Sequence, residues 1–195
     1  MPRIATRNPL LERHGKALDL FGDRVRSVRP GQWEDGTPCE EWNVRDLVNH
    51  LTSEQLWVPP LLREGATLDE VGDRYDGDVL GADPVAAWER AAEGSREAFA
   101  TPGVFDGTVQ LSYGETAVTH YCAEMICDLV VHAWDLSRAI GAEERLPGDL
   151  VDFVVRQLTP RAADLARSGL FAPPVEPPPE ATVQTKLLCL VGRRP

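Results

Sequence analysis

The 195-residue chain is 43% hydrophobic, enough to bury one sizeable core without a second domain, so residues 1–195 are read as a single domain. Acidic residues outnumber basic ones by 31 to 20, a formal charge of −11, and no basic stretch is interleaved with aromatics; this argues against nucleic acid and anionic membrane surfaces as partners. No uncharged apolar run of about 18 residues occurs, and the Met1–Pro9 start has neither an apolar centre nor a cleavage-like end, so a cytoplasmic protein without a membrane span is expected.

Leu11, Leu18, Phe21, Val25 and Val28 keep a helical period and predict a first helix over Pro9 to Val28. Asn43 to Leu51 reads as a capped helix start, with Asn43 as N-cap, Asp46 as the acidic N3 residue, and Val44, Leu47, Val48 and Leu51 at i, i+3, i+4 and i+7. This second helix runs to Leu62, and His50 lies on the flank of its apolar face. Leu62 to Asp83, charged and glycine-bearing, reads as a surface loop before a third helix over Pro84 to Phe99. Thr108 to Tyr113 alternates between Gly107 and Gly114, the pattern of a small strand or hairpin covering one bundle end. A long helix follows over Thr116 to Ile140, closed by Arg138 in its last turn and Gly141 beyond it. Another covers Gly148 to Arg167, and the proline-rich loop Ala172 to Pro179 leads to a short helix over Ala181 to Val191. The fold class is therefore all-α, and four long helices can make a bundle.

The Thr116–Ile140 helix is apolar on almost every face, which places it in the interior. Into it are set His120, Glu124, Asp128 and His132 at four-residue intervals, one slowly drifting polar stripe. Buried carboxylates and imidazoles need partners or a metal. Asp128 and His132 can point at one ion, and His50 could supply a third ligand across a helix interface. Two imidazoles and a carboxylate with open positions suit Zn, Ni, Fe or Mn. The competing reading is a hydrogen-bonded Asp128–His132 pair and a His50 that binds nothing. Glu124 and His120 are second-layer partners, a proton shuttle, or simply a polar pair; Trp134 packs in the core or walls a pocket.

Pro38 to Leu51, Asp128 to Ala139, Phe171 to Val175 and Leu187 to Pro195 together resemble the DinB-like superfamily, in the branch typified by the metal-binding domain of mycothiol-dependent maleylpyruvate isomerase. The resemblance implies a DinB-like four-helix bundle, with short extra helices and a small β-hairpin beside it. It also implies a divalent metal held by His50, Asp128 and His132, although many relatives carry histidine or glutamate where this chain has Asp128. Its chemistry would be that of a thiol S-transferase or isomerase, in which a small-molecule thiol such as mycothiol meets a small electrophile at the metal. The chain shows no counterpart of the isomerase's additional C-terminal domain, so the isomerase activity itself is not expected.

Cys39, Cys122, Cys127 and Cys189 form no C-x-x-C pair and are expected to be reduced; Cys39 is a packing residue or a reactive or ligating thiol, and the family pattern does not use it as a ligand. A glycine-rich phosphate loop, a nucleophile elbow and an H-E-x-x-H motif are all missing. The alternative function is a non-catalytic metal-binding or stress-response bundle protein; the oligomeric state is open, a homodimer being the commonest assembly for soluble proteins of this kind.

Overall fold

Capping chemistry written into the sequence sets where the helices begin. The structure is a computed structural model, and residues 8–168 and 171–195 are described; the Met1–Pro9 reading therefore falls, apart from Asn8 and Pro9, outside the described residues. α1 (Pro9–Arg26) starts at Asn8, whose side chain accepts from the Leu10 amide at 2.9 Å, with Pro9 where its missing N–H costs nothing. α2 (Val44–Pro59) starts with the expected capping box: the Asp46 amide donates to Asn43 Oδ1 at 2.8 Å and the Asn43 amide to Asp46 Oδ2 at 3.1 Å. At its far end Pro59 and Pro60 withhold two backbone donors, and the chain continues as a π-helical turn, Pro60–Glu64.

A short α3 (Leu68–Val71) interrupts what the sequence presents as a loop, and Val71 and Leu80 are buried. This segment is clamped to the outer face of α2. Arg45 binds Asp78 at 2.8 Å, Asn49 donates to Gly77 and accepts from Val79, and Ser53 donates to Tyr75. Those three α2 residues are four apart, so one stripe on the helix holds the whole segment.

α4 (Pro84–Phe99) is capped by Asp83 and leads to the antiparallel hairpin β1 (Thr108–Leu111) and β2 (Gly114–Ala117), paired in the register Thr108 with Ala117 and Leu111 with Gly114. Thr116, expected in the following helix, belongs to β2 instead, because its backbone pairs with Val109. α5 (Val118–Ile140) ends at Gly141, whose φ of 67° is the left-handed cap expected of that glycine. α6 (Gly148–Leu158) stops short of Arg167. Pro160 cannot donate to the helical ladder, so the chain turns through Thr159–Arg161 before α7 (Ala162–Ser168). α8 (Val183–Leu190) follows the proline-rich stretch.

The bundle consists of α1, α2, α4 and α5. α1 packs on α4 and α5, and α2 packs on the same two, which closes a ring of four. α6 covers α5 and in turn carries α8. Inside lie Phe21 and Trp88, with ring centroids 4.7 Å apart, and Phe99 and Trp134, each about 1% exposed or less. Trp134 is thus a core residue, its ring covered by the Arg138 guanidinium at 4.7 Å. The mostly helical architecture with one hairpin is the all-α DinB-like bundle read from the sequence.

Candidate metal centre

The polar stripe on α5 sinks as it advances. Side-chain exposure falls from 42% at His120 to 29% at Glu124, 26% at Asp128 and 7% at His132. Four residues overshoot one helical turn by about 40°, so a stripe at this interval rotates out of solvent and into the bundle. Its outer end is tied up locally. Glu124 accepts from Tyr113 Oη at the hairpin tip and from Arg161 at 3.0 Å, and His120 lies 3.2 Å from the same carboxylate.

At the inner end three side chains converge. Asp128 sits between two imidazoles, with Oδ2 3.4 Å from His50 Nε2 and Oδ1 3.3 Å from His132 Nε2. One donor atom from each of the three lies within 4.8 Å of the others. Ligands of a tetrahedral ion at bond lengths of about 2.0–2.1 Å stand roughly 3.3–3.4 Å apart, so the spacing is one a metal could fill. Trp42 closes one side, its ring 4.8 Å from His50 and 5.8 Å from His132, while His50 and Asp128 remain about a quarter to a third exposed. The site is therefore walled yet open to solvent.

Behind His132 lies a second layer that sequence reasoning missed. Nδ1 of His132 is 2.9 Å from Asp135 Oδ2, and Asp135, fully buried, is gripped by Arg193 through Nε at 3.0 Å and Nη2 at 2.7 Å. With an ionised carboxylate at Nδ1, that nitrogen carries the proton and donates it, leaving Nε2 to face Asp128. Asp135 stands three residues from His132, a spacing that could have flagged it; nothing in the sequence ties it to Arg193.

Electrostatics follow from this crowding. Burial works against the charged form of His132, but Asp128, Asp135 and Cys39 around it hold its pKa well above the ordinary imidazole value. Burial likewise opposes ionisation of Asp128, and His132 and His50 overcome it, keeping this carboxyl well below the usual range. Glu54, one turn beyond His50, is raised, first by burial and then by the charge of Asp128, with both histidines pulling the other way. It belongs to the site's surroundings and was also missed, although its i+4 relation to His50 was readable.

Cys39 touches the rear of the site. Its Sγ lies 3.9 Å from His132 Nδ1 and 3.5 Å from Asp135 Oδ2, and it accepts from Arg193 Nη2 at 3.2 Å. Cys39, His132 and Asp135 also stand close enough together to suggest a metal. Here, however, the Arg193 guanidinium already fills the cation's place, and a divalent ion would face its full repulsion. The His50, Asp128 and His132 group has no such competitor among the described residues.

Residues 14–137 match the family model described as the mycothiol maleylpyruvate isomerase N-terminal domain. Two proteins of Mycobacterium tuberculosis, "Uncharacterized protein Rv0738" from strain H37Rv and "Uncharacterized protein MT0763" from strain CDC 1551 / Oshkosh, are each 34% identical over 143 residues, 73% of this chain and 73% of the relative. No solved structure matches at a significant level. No helix of the described residues is long and apolar enough to cross a membrane. The matched span holds His50, Asp128 and His132 on α2 and α5 but ends before the tail that carries Arg193, and the chain belongs to the mycothiol maleylpyruvate isomerase N-terminal domain family.

Proposed function

We propose that the chain binds one divalent metal ion, zinc by preference, through His50 Nε2, Asp128 and His132 Nε2, and uses it to bring a small-molecule thiol to a small electrophile as an S-transferase or isomerase. The observation that carries this reading is the placement of two imidazole nitrogens about 3.3–3.4 Å from one carboxylate, on a wall that stays open to solvent. Family membership supports mycothiol as the thiol. Bound metal would lower the pKa of a coordinated thiol and favour its thiolate. The chain's own groups supply the rest. Trp42 closes one side, and Asp135 keeps His132 in the tautomer that presents Nε2. The four cysteines are free, in keeping with a reducing cytoplasmic location.

Metal content by mass spectrometry on untagged protein, beside His132→Ala, tests the first half. About one ion per chain in the wild type and little in the variant supports the site; none after reconstitution overturns it. Loss of 1-chloro-2,4-dinitrobenzene absorbance that requires both metal and mycothiol tests the second half, and metal uptake without such turnover leaves a binding protein.

A further inference from the structure

Arg193 is an unusual residue to bury. It lies three positions beyond α8 with only 6% of its side chain exposed, outside the segment that matches the family. Taking a guanidinium out of water costs several kcal/mol, and an apolar residue in such a place is often as stable or more so. Its contacts are complete all the same. Nε and Nη2 fork onto the two oxygens of Asp135, Nη1 donates to the Val191 carbonyl at 2.9 Å, and Nη2 also reaches Cys39.

The backbone is built to deliver it. Gly192 takes a φ of 79°, and a Cβ at that position would fall 2.5 Å from the Ala172 carbonyl oxygen, so the tail presses directly on the chain at 172. The Arg193 amide donates back to Leu188 at 2.8 Å, and the guanidinium stands 5.8 Å from the Phe171 ring centroid. The turn thereby aims one side chain at the underside of α5.

We propose that Arg193 is a positioning residue of the metal centre, acting through Asp135 to fix the orientation and tautomer of His132. Asp135 Oδ2 receives both Arg193 Nη2 and His132 Nδ1. A two-point fork stops the carboxylate from rotating, and the fixed carboxylate stops the imidazole from rotating. Nε2 is then held toward Asp128 and His50 instead of being free to flip Nδ1 into the site. The C-terminal tail is in this way part of the metal centre, although among the described residues no hydrogen bond or ion pair joins it to the three candidate ligands.

The inference rests on the metal-binding reading above, and one experiment separates the two. Zinc affinity of the full chain is measured by competition with a chromophoric chelator for wild type, Arg193→Gln and Cys39→Ala, with the urea midpoint of each metal-free protein recorded in parallel. Loss of an outer-layer partner to a ligand histidine weakens metal affinity about 10–100-fold. That loss is expected in Arg193→Gln, with Cys39→Ala within about threefold of wild type. Nitrogen-15 spectra of zinc-loaded wild type should show a protonated His132 Nδ1 and a coordinated Nε2. A folded Arg193→Gln with wild-type zinc affinity, or zinc on Nδ1, overturns the proposal and makes Arg193 a latch for the tail. Arg193→Lys keeps the charge without the fork and carries the same test if the glutamine variant does not fold: a weaker loss supports the proposal, wild-type affinity overturns it. A wild type that binds no zinc removes the functional reading along with it.

Discussion

His132 and Asp135 face each other across one helical turn, Nδ1 to Oδ2 at 2.9 Å, and this contact determines which imidazole nitrogen is turned toward Asp128. Asp135 is the more deeply buried of the two and is the only carboxylate paired with Arg193 among the described residues. Asp135→Asn keeps the shape and removes the charge, leaving a buried guanidinium without a counter-ion. Breaking such a pair costs about 3–5 kcal/mol. The urea midpoint of metal-free protein should fall accordingly, and an unchanged midpoint would mean that the pair adds nothing to the fold.

Glu54 should behave in the opposite way. Its folded pKa is raised, so its contribution to stability is present below the unfolded value of 4.5 and is lost as pH climbs through the folded value. Its ionised form is opposed first by burial and then by the charge of Asp128. Glu54→Gln should therefore stabilise the metal-free protein by on the order of 1 kcal/mol at pH 7, with the gain shrinking toward pH 4. Urea titrations of chelator-treated protein at both pH values check the sign.

His14 sets a second pH dependence. It is fully buried between Ser95 and Phe99, and burial, followed by the charge of Arg96, lowers its pKa to about 3, with the Gln55 side chain acting the other way. The unfolded chain takes up this proton near 6.5 and the folded chain does not until about 3. Stability from this group is thus whole above 6.5 and falls between those values, by at most about 1.4 kcal/mol per pH unit. His14→Gln should flatten that part of the stability profile, and parallel slopes for the two proteins would contradict it.

Thiol chemistry should single out one cysteine. Cys122, Cys127 and Cys189 are each no more than 5% exposed, and burial pushes Cys122 up to about 12, whereas Cys39 is only half-buried. Ellman's reagent should modify one thiol per native chain quickly, and Cys39→Ser should abolish that phase. The other three should react only on unfolding.

Gly192→Ala probes the tail without touching its charge. The new methyl group meets the Ala172 carbonyl in a left-handed conformation, at a cost of about 1–3 kcal/mol. A lowered thermal midpoint is expected, and a midpoint equal to wild type would show that the tail is not pressed against residue 172.

What the sequence disclosed was local. Asn43 and Asp46 announce the start of α2 because a capping box is a three-residue contract, and Asp128 and His132 share a face because helical spacing alone dictates it. The helix expected over Gly148 to Arg167 ran through Pro160, and the break after Leu158, a matter of backbone donors, was missed. Three features depended on distant partners and were hidden. Arg193 meets Asp135 across 58 positions; Glu54 matters only once α2 lies against α5; Leu80 is buried because Arg45, Asn49 and Ser53 hold its loop in place. Periodicity finds the face a residue occupies, and only packing reveals what that face meets.

The Asp128 carboxylate joins His50 and His132, with its oxygens 3.4 Å and 3.3 Å from their Nε2 atoms, so an ion taken up as proposed would have to displace any proton shared in these contacts. On the proposed function such a cage would be an ion exchanger, releasing hydrogen ions as it loads and regaining them as it empties. The heat of loading should then vary with the ionisation enthalpy of the buffer, and acidification alone should return the occupant to solution.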